Sequence, residues 1–218
     1  MNKNSFKVAL LILILAVPAL LYIILAGTGK NEYKIQVFNP KSDMCPPPAN
    51  GDTMHRIPPF SFVSQDGKTV TEQDFKGKIY VADFIFTRCP SICPVMTSEL
   101  TRVQEAFKGN PDIKILSHSI DPLYDSTQVL KAYGDKHKAD YNFWTFVTGD
   151  STKIYDMARC GYFMAIQKSP DSRLVFDHSD KLILIDKEQR IRGFYSGTKR
   201  EEVDRLIIEM QILLAEYQ

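Results

Sequence analysis

At 218 residues, with 44% hydrophobic and 24% charged side chains and a formal net charge of +1, the chain has the composition of a globular protein. That length fits one ordinary domain plus an appendage, and no basic stripe stands out, which argues against nucleic acid as a main partner. Four cysteines, Cys45, Cys89, Cys93 and Cys160, are too few for a disulfide scaffold but enough for one site and one bridge.

Taken in order, the chain first presents residues 8–26, a run of 19 without a charge and rich in Leu, Ile, Val and Ala. At about 1.5 Å per residue this nearly spans a bilayer core of roughly 30 Å, and Pro18 is tolerated in a membrane helix. A cleaved signal peptide is the alternative, but no small-x-small site follows the run, so an uncleaved transmembrane signal anchor over residues 1–29 is expected. Lys3 and Lys7 before the span compete with Lys30, Lys34 and Lys41 after it. The short tail without acidic residues tips the orientation to N-terminus inside, with the folded domain outside the cytoplasm. Residues 30–57, with Pro46, Pro47 and Pro48 together, have the composition of a stiff tether. One folded domain remains, residues 58–218.

The domain opens with FSFVSQDGKTVT, two alternating segments around Asp66-Gly67, a hairpin signal. Residues 79–86 and 113–120 read as buried strands. Asp125 is placed to cap a helix over 126–136, and Asp150 another over about 151–159. Residues 182–185 and 191–195 read as paired strands. Thr198 and Glu201 have capping-box spacing, and Val203, Leu206, Ile207, Met210 and Leu214 mark the buried stripe of a last helix. This order predicts an α/β thioredoxin-like fold, a central mixed sheet flanked by helices with an N-terminal hairpin extension.

At the junction of the first central strand and its helix stand Cys89 and Cys93, four apart, each followed by a proline. A helix N-terminus offers unpaired N–H groups and partial positive charge, which favour thiolate. The pair is therefore a redox-active or metal-binding dithiol, against the plainer readings of a structural disulfide or two buried small residues. Soft thiolates select Cu(I), zinc or iron–sulfur clusters, and no second cysteine pair with ligand spacing completes a zinc site. Asp177-His178-Ser179 lies just before a late strand, so His178 is the candidate third ligand of a two-sulfur, one-nitrogen copper site, with Asp177 or a backbone carbonyl to orient the ring. His55, His118 and His137 read as surface or capping residues, and Met96 as core rather than a ligand.

The set FTRCPSICPVMT, SIDP (119–122), FVTGD (146–150) and FDHS (176–179) resembles the Sco/SenC family of membrane-tethered, thioredoxin-like copper proteins. The resemblance covers nearly the whole domain and maps the family's copper-binding cysteines onto Cys89 and Cys93 and its histidine onto His178. It implies a copper chaperone, holding Cu(I) or Cu(II), that serves the Cu(A) centre in the copper-bearing subunit of cytochrome c oxidase. It further implies a bacterial inner-membrane protein with a periplasmic domain. Such a protein delivers rather than turns over, so it need not be an enzyme. The rival is a thiol-disulfide oxidoreductase whose catalytic residues are Cys89 and Cys93. A peroxidase is disfavoured because Thr87 stands too close to Cys89 for a Thr-x-x-Cys loop. Cys45 and Cys160 lie outside the family pattern, either bridged to each other or a free thiol and a buried residue.

Overall fold

The computed structural model describes residues 3–28, 34–40, 45, 53–164, 166–168, 174–176 and 180–217. The chain divides into two units, Met1–Tyr33 and Lys34–Gln218.

The first unit carries one helix, α1 (Lys3–Thr28), with Pro18 inside it. Among the described residues no helix is long and apolar enough to cross a membrane. The expected spanning anchor is thus not established by this helix, although its large apolar side chains, Leu11, Leu15 and Leu20 among them, are exposed.

The second unit is built on a sheet of seven strands: β1 (Ser61–Ser64), β2 (Thr69–Thr71), β3 (Ile79–Ile85), β4 (Ile113–Ser119), β5 (Trp144–Thr148), then β8 (Lys181–Ile185) and β9 (Ile191–Ser196). Between β5 and β8 a separate two-stranded ribbon is formed by β6 (Ile166–Lys168) and β7 (Leu174–Phe176). The order across the large sheet is β2-β1-β5-β4-β3-β8-β9, with β3, β4 and β5 parallel and the remaining pairs antiparallel. Helices α2 (Ile92–Ala106), α3 (Thr127–Lys136) and α5 (Arg200–Glu216) contribute to one face. A shorter helix, α4 (Ser151–Asp156), runs into a π-turn at Met157–Gly161 and packs on the other.

β3 is buried at all seven positions because both its faces are covered. Ile79, Val81 and Ile85 meet Met96, Leu100 and Val103 of α2 and Val203, Leu206 and Met210 of α5, while Tyr80, Ala82 and Phe84 meet Phe62, Leu116, Ile154 and Tyr162. Two-sided burial explains why its sequence reads as a continuous apolar run rather than an alternation. The central strand therefore ends, at its C-terminal edge, under the dithiol.

The expected hairpin forms around Gly67, whose φ of +75° suits a residue without a Cβ. Three local expectations differ. Ser126, not Asp125, caps α3 by accepting from the Val129 N–H at 3.3 Å. No capping box forms at α5: its N-cap is Lys199, and the Thr198 hydroxyl donates to Asp180 instead at 2.5 Å. On the α5 stripe Val203, Leu206 and Met210 are buried with Leu213, whereas Ile207 and Leu214 are half-buried.

Much of the segment 30–57 that is described lies on the domain. Phe38 pairs with Ile191 of β9, and the Ile35 carbonyl accepts from buried Arg192. Cys45 is bonded to Cys160, 115 residues away, which decides between the two readings of that pair.

Candidate functional site: a split dithiol at the end of the central strand

After β3 the chain turns at Phe86–Cys89, where the Cys89 N–H donates to the Phe86 carbonyl at 3.1 Å, and α2 begins three residues later. Helix N-termini leave unpaired N–H groups, and the N-cap residue Ser91 accepts none of them through its side chain. The N–H of Cys93 is instead received by the sulfur of Cys89, at 3.4 Å. A thiol thus occupies the place of a cap. Cys89 and Cys93 are free, not bonded to each other, and only 8% and 2% exposed.

The two thiols are driven apart electrostatically. Burial pushes the Cys89 thiol up, but hydrogen bonds from the backbone N–H groups of Cys93 and Ser91 and from their side chains outweigh it, so it sits below the ordinary thiol range. Cys93 is pushed well up, first by burial, then by donating to Cys89 and by the negative charge of Cys89 and Asp83. Sequence spacing placed both sulfurs at one helix start. It gave no sign that one thiol would be lowered and the other raised.

Under Cys93 lies a buried polar layer. The Thr97 hydroxyl bonds the Cys93 carbonyl at 2.8 Å and the Tyr133 hydroxyl at 2.7 Å. On the same face of the sheet Asp83 is fully buried; its Oδ1 accepts from Ser117 at 2.5 Å, and Ser117 accepts from the Trp144 indole at 2.8 Å. The other oxygen, Oδ2, has no partner among the described residues, and burial raises the Asp83 carboxyl to about 7. Met96 is fully buried in the core, as its helical position predicts.

The loop before Cys89 is held from the side. Asp125, fully buried, accepts the Thr87 N–H at 3.1 Å, the Thr87 hydroxyl at 2.5 Å and the Ser119 hydroxyl at 2.6 Å. Arg88 pairs with Asp121 at 2.6 Å and lies over the Tyr124 ring at 3.9 Å. The sequence reading assigned Asp125 to a helix cap; with Ser126 in that role its carboxylate turns to Thr87.

His178, with Asp177 and Ser179, lies outside the described residues, so the third ligand is not located. Among the described residues no group of three His, Cys, Asp or Glu is arranged to hold a metal ion. The ribbon β6–β7, which the sequence reading missed, ends at Phe176, two residues before His178. Of the other histidines, His55 bonds the Gly161 carbonyl at 2.8 Å, His137 ends α3, and His118 is buried against Phe84 at 4.8 Å.

The family model SCO1/SenC matches residues 49–212. The chain belongs to the SCO1/SenC family. An SCO1 protein homolog of Bacillus subtilis is 32% identical over 158 residues, covering 72% of this chain and 82% of that protein. The solved structure of BsSco, described as a member of the Sco family of cytochrome c oxidase assembly proteins with a disulfide switch, has a TM-score of 0.65 and 31% identity. It covers 75% of this chain and 95% of that one. ScoI of Arabidopsis thaliana, solved with copper bound, has a TM-score of 0.59 and 29% identity, covering 71% and 98%. The SCO1/SenC match includes both Cys89 and Cys93, and the thioredoxin-like fold agrees with it.

Proposed function

We propose that this SCO1/SenC protein binds copper as cargo through Cys89, Cys93 and His178 and delivers it to the Cu(A) site of cytochrome c oxidase during assembly. The observation that carries the reading is the free dithiol at the α2 N-terminus, with a sulfur that already receives the helix N–H of Cys93 and a second sulfur behind it. Two soft thiol donors suit Cu(I), and an added imidazole helps retain Cu(II). The copper-bound Arabidopsis ScoI and the assembly role described for BsSco support the same reading. α1 serves as the membrane anchor, keeping donor and acceptor at one surface with the domain on the periplasmic side.

The test is copper stoichiometry and affinity on the reduced full-length chain in detergent. One copper per chain is expected, lost in Cys89→Ser/Cys93→Ser and at least tenfold weaker in His178→Ala. Binding indifferent to all three residues would overturn the reading. For the anchor, alkaline extraction of membranes should leave the chain in the pellet, and release into the supernatant would count against it.

A second reading, dithiol exchange, is favoured by the opposed thiols. Cys89 thiolate attacks a partner disulfide and displaces one partner thiolate. Cys93 then gives up its proton and attacks the Cys89 sulfur, releasing the second partner thiol and leaving a Cys89–Cys93 disulfide. Two electrons pass to the partner, and an external dithiol reductant restores the pair. His178→Ala separates the two readings, since it should weaken copper retention but leave exchange with a test disulfide within about twofold.

A further inference from the structure

Thr87 stands two residues before Cys89, on the segment leaving β3, and Ser119 ends β4, the parallel neighbour of β3. Asp125 joins them, accepting two hydrogen bonds from Thr87, one from its backbone and one from its side chain, and one from Ser119. A buried carboxyl group that takes three hydrogen bonds is costly to release, because its oxygens would be left buried and unpaired, so it is a firm anchor. The loop has need of one: Pro90 and Pro94 have no N–H to give, and Ser91 caps nothing through its side chain. Further out the same two segments meet again through Arg88 and Asp121.

We propose that Asp125 is a positioning residue for the dithiol: by gripping both the backbone and the hydroxyl of Thr87 it fixes the entry to the loop. The Cys89 sulfur then stays on the Cys93 N–H when cargo or a partner approaches. The inference rests on the reading of Cys89 and Cys93 as the working pair. It assigns Thr87, which no helix or ligand set requires, a place in the same device.

The experiment follows amide hydrogen exchange in the reduced, metal-free full-length chain, comparing wild type with Asp125→Asn, Thr87→Val, the double variant and Ser119→Ala. Asparagine keeps the size but turns one acceptor oxygen into a donor facing a donor. In Asp125→Asn the Cys93 amide should exchange at least tenfold faster, while Val81 and Leu116 in the central strands keep their protection. Thr87→Val should give the same local effect in smaller measure, with Asp125→Asn adding less than twofold to it in the double variant. Ser119→Ala, which leaves both bonds to Thr87, should keep the Cys93 amide within twofold of wild type.

An unchanged Cys93 amide in a folded Asp125→Asn chain would overturn the proposal. So would equal loosening in Ser119→Ala, which would show that Asp125 acts only by joining strands. Should Asp125→Asn not fold, Thr87→Val against Ser119→Ala decides by the same criterion. A parallel arm adds Cu(II) and records the thiolate-to-copper absorption, expected to shift in Asp125→Asn and not in Ser119→Ala. A chain that binds no copper yet shows the exchange pattern would sink the copper reading alone and leave the positioning role standing.

Discussion

Replacing Asp83 with asparagine tests whether the buried layer beneath the dithiol holds a carboxylic acid near neutrality. Asp83 is fully buried, its Oδ2 has no partner among the described residues, and burial lifts its carboxyl from 3.8 to about 7. A folded-state value raised above the unfolded one means that the folded chain keeps a proton the unfolded chain has lost. The associated stability is fully present below about pH 4 and is lost as pH rises through about 7. At about 1.4 kcal/mol per pH unit the whole loss is about 4 kcal/mol, of which about 2 kcal/mol falls between pH 5.5 and pH 8. Asparagine cannot ionise and its carbonyl can still accept from Ser117. Urea denaturation of reduced wild type and Asp83→Asn at both pH values isolates this group, because the other titrations cancel between the two proteins. The variant should gain about 2 kcal/mol on wild type in going from pH 5.5 to pH 8. A gap that does not change with pH, or that closes as pH rises, would refute the assignment of a raised carboxyl to this position.

Three further outcomes follow. His118 is buried, its Nε2 has no partner among the described residues, and burial lowers it to about 4, so its stability contribution is present above about pH 6.5 and lost as pH falls through 4. Acid denaturation followed by circular dichroism should therefore give a shallower loss of stability between pH 6.5 and 4 in His118→Phe than in wild type. Breaking the Cys45–Cys160 bridge by Cys45→Ser/Cys160→Ser should cost about 2–5 kcal/mol in urea melts, as expected for a closed loop of this length. Arg192→Met removes one of the two arginines on fully buried Asp186, which keeps Arg190 at 2.8 Å, together with the contact to Glu216; Arg192 lies 3.1 and 2.8 Å from the two carboxylates. Because Asp186 keeps Arg190, a loss of about 1.5–3 kcal/mol is expected, and the same denaturation curves measure it.

The sequence made the frame legible wherever burial was two-sided or a turn needed glycine. β3 announced itself as an apolar run, and Gly67 marked its hairpin. β5 was harder, because WTFVT is followed closely by Gly149 and Asp150, which drew the reading toward the helix that Asp150 does cap, accepting from the Lys153 N–H at 2.9 Å. Capping was misjudged where two competent side chains adjoin. Asp125 and Ser126 can each cap α3, and only the position of Thr87 across the loop, a long-range fact, decides which of them does. The dithiol could be read from spacing and its placement at a strand end. The division of labour between its sulfurs could not, since it depends on which thiol the helix N–H meets and on the depth of Cys93 beside Asp83. The bridge between Cys45 and Cys160 was likewise open, because nothing local pairs residues 115 apart.

The seating of residues 34–40 and Cys45 on the domain has a mechanical consequence. Tension applied at residue 34 enters the domain at the outer strand β9, through Phe38 and Ile191, and at α5, where Glu216 accepts the Ile35 N–H at 2.7 Å. If those contacts yield, the load passes at Cys45 into a covalent bond and emerges at the π-turn of Cys160. Neither entry point lies on the β3–α2 junction. Pulling on the leading segment is thus borne by the rim of the sheet, and the paired sulfurs stay outside the line of force.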